Sequence, residues 1–208
     1  RPPFAVLLLD DGAIATADLA TVAASKLPLT LVVDPAAAEA PERAAIWRAA
    51  GQEVALLAGG IAAGAKGSDG EIAVEAMVKA IPQALALVAP TAGSALQSDR
   101  MAAAAVVPAL AARGFGLVTW DQGLNAADQV ARREGLAAAT IYRDLSGRDD
   151  SGPVMTRALD RAAFKAQQDG RALVFGRLDP ATIEALMSWS LSARAASLTP
   201  APLSAVLK

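Results

Sequence analysis

The sequence contains no cysteine and no histidine. Without cysteine there is no disulfide framework, zinc ribbon, iron–sulfur cluster or thiol nucleophile. Without histidine the chain lacks the commonest general base at neutral pH and the commonest transition-metal ligand. A Ser–His–Asp hydrolase cannot be written in this alphabet, nor can a zinc site built from His or Cys. Aromatic residues make up only 4% of the 208 residues and charged residues 19%. Lys plus Arg is 19 and Asp plus Glu is 21, a net charge of −2. That balance does not suit a protein that neutralises a phosphate backbone, so no nucleic-acid partner is expected. No apolar run reaches the roughly 18 residues that a membrane span needs. The chain opens Arg1-Pro2-Pro3 rather than with Met, which reads as a fragment or a processed form; any signal or anchor upstream would lie outside this sequence.

What is present is strongly apolar. Hydrophobic residues reach 54% and mean hydropathy is +0.36, which excludes disorder as the dominant state. Short apolar runs of strand length alternate with longer helical stretches. Strands are expected at 4–9, 29–33, 53–57, 85–88, 115–119, 138–142 and 171–175, with a possible last one at 203–207. Helices are expected at 13–26, 38–50, 71–81, 99–112, 125–134, 153–169 and 180–195. Asp99 and Asp179 are expected N-caps, Pro180 fits the first helical turn, and Ser151 or Gly152 opens the long helix that Gly170 closes. The Gly-rich stretch 58–70 reads as a surface loop. Its order Gly64-Ala65-Lys66-Gly67-Ser68 fails the Gly-Lys-Ser/Thr of a phosphate-binding loop. Seven or eight strands alternating with helices imply parallel pairing and an α/β fold, read here as one domain over 1–208.

In parallel α/β folds ligand sites lie at the carboxyl ends of the strands. That rule selects Asp10 and Asp11 after the first strand and Asp34 after the second. It selects Thr91 and Ser94 after the fourth, Trp120 and Asp121 after the fifth, and Arg177 and Asp179 after the seventh. Adjacent acids raise each other's pKa unless cations or donors are near, so one of the pair reads as a base or hard-metal ligand, or else one caps the next helix and the other is solvated. Asp34 and Asp121 would complete an oxygen-only cluster for a divalent cation. Trp120 reads either as a stacking platform for a sugar ring or as core. Trp47 and Trp189 read as core.

Six segments in order carry a family resemblance: FAVLLLDDGA, LPLTLVVDP, RAAGQEVALL, PTAGSALQSDR, RGFGLVTWD and ALVFGRLDPATIEAL. Together they resemble the divergent polysaccharide deacetylase family of bacterial envelope proteins, over nearly the whole chain. The resemblance implies a distorted seven-stranded (β/α) barrel. It also implies a metal-assisted deacetylation in which Asp10 takes the base position and Asp11 a metal-ligand position. The histidine partners of that chemistry are missing. Ala58, Thr91 and Arg177 stand where the family's histidines are expected, and Gln52 replaces the His of its Ala-Gly-His-Glu segment. The family's Asp after the fifth strand falls at Thr119, with Asp121 two residues on.

One carboxylate is a weak zinc site, and water without a bound metal is a poor nucleophile at neutral pH. The expectation is therefore a domain that has lost catalysis, with no cofactor, in which Arg177 pairs with Asp10 or Asp11 in place of a metal. By the resemblance its partner is a glycan such as peptidoglycan or a protein of cell-wall remodelling, in the periplasm or envelope. Two alternatives stand beside it. One is an active hydrolase with a divalent metal held by Asp10, Asp11, Asp34 and Asp121. The other is a protein-interaction scaffold.

Overall fold

The computed structural model describes residues 1–146 and 152–208. In chain order the elements are β1 (Pro3–Asp10), α1 (Thr16–Ala23), β2 (Leu29–Val33), α2 (Ala40–Ala49), β3 (Glu53–Leu57), α3 (Gly67–Ala80), β4 (Ala86–Val88), α4 (Ala95–Ser98), α5 (Arg100–Ala111), β5 (Gly116–Trp120), α6 (Ala126–Glu134), β6 (Ala138–Ile141), β7 (Arg143–Asp144), α7 (Gly152–Asp169), β8 (Ala172–Arg177), α8 (Pro180–Ser190) and β9 (Thr199–Pro200). Every described strand pairing with a stated register is parallel. The strand interiors are buried almost without a break, and β2, β4 and β5 are buried throughout, as expected of parallel strands covered on both faces. The α/β alternation of the sequence is thus the architecture observed.

The chain's contacts divide it into two compact units. The first comprises Arg1–Leu31, Ile46–Glu53 and Ile141–Val206, and the second Val32–Ala45, Val54–Thr140 and Leu207–Lys208.

In the first unit β8 lies beside β1, with Phe4 opposite Ala172 and Leu9 opposite Arg177. β7 adds to β8, and β9 pairs with the start of β1. This register matters for function, because it brings Arg177 level with the end of β1, where Asp10 and Asp11 follow. α8 starts at Asp179, whose Oδ1 accepts the Thr182 N–H at 2.8 Å, with Pro180 in the first turn. α7 ends at Gly170, whose φ of +80° is a left-handed value that suits glycine. Thr30 is fully buried in β2, and its hydroxyl oxygen accepts the Leu203 N–H at 3.2 Å. Trp47 and Trp189 are buried, as expected.

In the second unit β3, β4 and β5 are neighbours in that order, with Leu57 opposite Val88 and Val88 opposite Val118. The Leu117 N–H donates to the Ala137 carbonyl just before β6. α5 begins at Asp99, whose carboxylate accepts from the Met101 and Ala102 N–H groups. α3 and α5 meet at Gly70, where an added Cβ would lie 2.4 Å from the Ala105 carbonyl oxygen. Only glycine permits that approach of backbone to backbone.

Several expectations need correction. The loop expected over 58–70 stops early, because α3 begins at Gly67. The Asp69 carboxylate accepts the Lys66 N–H at 3.0 Å and closes the first turn, and Gly70 is packed rather than looped out. The expected strand at 203–207 is instead a short 3-10 turn over Leu203–Ala205, and the terminal strand is the two-residue β9. α1 and α8 are shorter than their apolar patterns suggest, and α4 was not anticipated. Ser151, a candidate cap for α7, lies outside the described residues.

Candidate functional site at the ends of β1 and β8

β1 ends in two carboxylates that turn the chain. Asp10 Oδ1 accepts the Gly12 N–H at 3.1 Å, and Asp11 Oδ1 accepts the Ala13 N–H at 3.2 Å. These local bonds hold both side chains at the strand end. Asp11 keeps its other oxygen for Arg177, the last residue of β8. Arg177 Nε lies 2.8 Å and Nη2 2.6 Å from Asp11 Oδ2. Arg177 Nη1 stands 3.8 Å from Asp179 Oδ2, while the other oxygen of Asp179 caps α8. The Arg177 and Asp11 side chains are 42% and 34% exposed, so the pair sits at a solvated rim. The Nε and Nη2 contacts with Asp11 fall on one carboxylate oxygen.

The remaining candidates belong to the second unit, and each has local partners. Asp34 is exposed, and its Oδ1 accepts the Ala36 N–H at 2.9 Å. Ser94 Oγ donates to the Thr91 carbonyl at 2.8 Å. Asp121 is exposed directly after β5. Trp120 is the last residue of β5 rather than the first of a loop, and it is only 7% exposed. Its Nε1 donates to the Ala89 carbonyl at 2.8 Å. This burial is what the core reading of Trp120 expects.

Two side chains of the second unit escaped sequence reasoning as organisers of the end of β5. Gln97 is fully buried: its Oε1 accepts the Trp120 N–H at 2.7 Å, and its Nε2 donates to the Trp120 and Gln122 carbonyls. Asn125 caps α6 and donates to the Thr119 hydroxyl at 2.8 Å. Thr119, at the position matching the family's Asp, is thereby a buried structural residue. Gln52 also proves structural. Its Oε1 accepts the Leu29 N–H at 2.8 Å, and its Nε2 reaches the carbonyls of Ala23, Ser25 and Leu27. It clamps the bend between α1 and β2 from inside.

These residues do not fit a catalytic divalent metal. Such a site takes three protein ligands. Ala58 carries no donor atom and is buried, with its N–H bonded to the Val88 carbonyl. Arg177 has no lone pair to give and occupies the free oxygen of Asp11. Among the described residues no group of three or more acidic side chains is arranged to hold a metal.

The chain belongs to the divergent polysaccharide deacetylase family, whose profile matches residues 7–207. Among solved structures it resembles an uncharacterized protein of Agrobacterium tumefaciens C58, with a TM-score of 0.84 and 17% identity over 98% of this chain and 88% of that one. It also resembles the catalytic domain of a peptidoglycan N-acetylglucosamine deacetylase from Eubacterium rectale, with a TM-score of 0.57 and 12% identity over 97% and 88% of the two chains. A peptidoglycan deacetylase from Bacillus subtilis matches with a TM-score of 0.56 and 11% identity over 99% and 90%. At these identities the likeness shows the fold, a (β/α) barrel of the deacetylase type. No curated protein sequence matches the chain.

Proposed function

We propose that this domain has given up amide hydrolysis and serves as a binding module of the bacterial cell envelope, directed at a glycan such as peptidoglycan or at a protein that remodels the wall. The observation that carries the reading is the Arg177–Asp11 ion pair. A metal at such a site would lower the pKa of its bound water to near neutral and so supply a nucleophile. A guanidinium has no open coordination position and stays protonated at neutral pH, so it cannot trade protons there. The site therefore keeps charge and hydrogen-bonding capacity and lacks a means to activate water. Envelope location and the glycan class follow from the family.

The test is a deacetylation assay on acetylated chitooligosaccharide and on peptidoglycan with added zinc, cobalt or magnesium. No turnover is expected with any ion. Turnover that disappears in Asp11→Ala would overturn the proposal and restore a metal-dependent hydrolase. A scaffold for proteins is the second reading, favoured by Met101 and Leu124 in the second unit, which are large, apolar and exposed. A protein partner that stays bound after glycan digestion would select it.

A further inference from the structure

The first unit holds a second cavity, at the opposite end of β1 from Asp11 and independent of the reading above. Its volume is about 260 Å³. The wall is apolar: Phe4 and Val6 of β1, Leu29 of β2, Leu186 and Trp189 of α8, and Leu198. Trp189 is fixed in place. Its ring centroid lies 5.2 Å from that of Phe4, and its Nε1 donates to Asp160 at 2.9 Å. α1 buries Leu19 and Ala23, and Leu27 and Pro28 of the bend after it line the cavity.

Among the described residues Arg1 is the charged residue that lines this cavity, and the Asp160 carboxylate lies behind the Trp189 ring, bonded to its Nε1. Lys26 and Arg194 adjoin the lining residues Leu27 and Ala195 in the chain, and both are exposed. Among the described residues none of these three cations makes an ion pair. An apolar chamber with an unneutralised basic rim, on a protein whose net charge is −2, matches a ligand with an apolar body and an anionic head. We propose that the cavity binds a single-chain anionic amphiphile, an acyl carboxylate or alkyl phosphate. The chain lies against Trp189 and Phe4, and the head stays in water beside Arg1. A charge held at the rim avoids the desolvation cost of burial. A chain of roughly ten carbons suits the volume. Leu191, 90% exposed beside the cavity, would offer a second copy of this chain a knob to insert, but a two-fold contact there would set the same cations against each other.

The test is isothermal titration of the chain with sodium decanoate and with decyl phosphate, both below micelle formation, and with decanol as the uncharged control. One saturable site per chain is expected for both anions, with decanol weaker by about tenfold or more, the scale of a charge-assisted hydrogen bond. Ala196→Trp, at an exposed lining position, fills the mouth and should abolish binding with the circular dichroism spectrum unchanged. Should that variant misfold, Arg1→Glu decides: it should weaken decanoate by about tenfold and leave decanol alone. No saturable heat, or equal affinity for decanoate and decanol, overturns the proposal. So does sedimentation with phosphatidylglycerol vesicles without decanoate binding, which would mean a membrane surface. A dimer undone by Leu191→Asp and indifferent to decanoate would overturn it as well, giving the cavity to a second copy.

Discussion

Asp11 and Arg177 stand 166 residues apart in the chain, and the Nη2 of one lies 2.6 Å from the Oδ2 of the other. Parallel pairing of β1 with β8 makes the meeting possible, since Leu9 is opposite Arg177 and the guanidinium then reaches the second residue beyond. The pair is part-exposed, and its attraction is screened by solvent. Replacing both residues singly and together in a double-mutant cycle should give a coupling of about 0.5–1 kcal/mol by urea unfolding, shrinking as salt is raised. A coupling of several kcal/mol would mean a buried, desolvated pair, contrary to the geometry described.

Gln52 carries a larger share of stability than its chemistry suggests. The side chain is buried and satisfies the Leu29 N–H and carbonyls of the preceding bend. Gln52→Leu keeps the bulk and strands those backbone groups, at a cost of about 2–3 kcal/mol. The urea midpoint should fall with an unchanged m-value. Gln52→His should rescue little, because a neutral imidazole brings one donor and one acceptor where the amide now meets four partners.

Asp99 gives the fold an acid dependence. Its carboxylate accepts the Gly64 N–H at 2.7 Å and the Met101 N–H at 2.7 Å, and these bonds, the one from Gly64 foremost, hold its pKa below the ordinary 3.8. A depressed folded-state pKa means a stabilising contribution that is complete above 3.8 and is lost as pH falls through the lower folded value. The stability difference between the parent chain and Asp99→Asn should therefore be constant above about pH 5 and shrink toward pH 2. Limited proteolysis of Asp99→Asn should cut near Gly64 faster than in the parent at neutral pH, because the segment has lost its anchor.

Gly70→Ala should be costly although it adds one carbon. The new Cβ meets the Ala105 carbonyl oxygen and carbon, which are backbone and cannot rotate aside. Separating α3 from α5 to make room should lower stability by about 1–3 kcal/mol in thermal or urea unfolding. Gly67→Ala, three residues earlier with open space around its Cβ, is the control and should be close to neutral.

Much of this architecture was legible in the sequence, and the reason is local. Strand 29–33 is a mainly apolar run between Pro28 and Asp34, strand 53–57 is one set between Gly51 and Gly59, and both form with the expected bounds. Asp99 and Asp179 cap helices because a short carboxylate before a helical run has an N–H within reach wherever the helix packs. The family resemblance put Arg177 where a histidine is expected and so opposite Asp10 or Asp11, and the structure shows its contact with Asp11. What stayed hidden was non-local. Gln97 and Gln52 read as ordinary polar residues, and only the approach of segments more than twenty residues away makes them clamps. Gly70 looked like a loop residue because its reason for being glycine is Ala105, on another helix. Trp120 read two ways, since sequence alone does not say on which side of the last strand residue the chain leaves the sheet.

The positive charge that faces Asp11 is synthesised with the polypeptide. A chelator cannot strip it, a scarcity of trace elements cannot leave it unfilled, and an unsuitable ion cannot displace it. Where an enzyme of metal-dependent design waits on the cell's ion supply before its pocket is complete, this chain finishes that corner as soon as β8 settles beside β1.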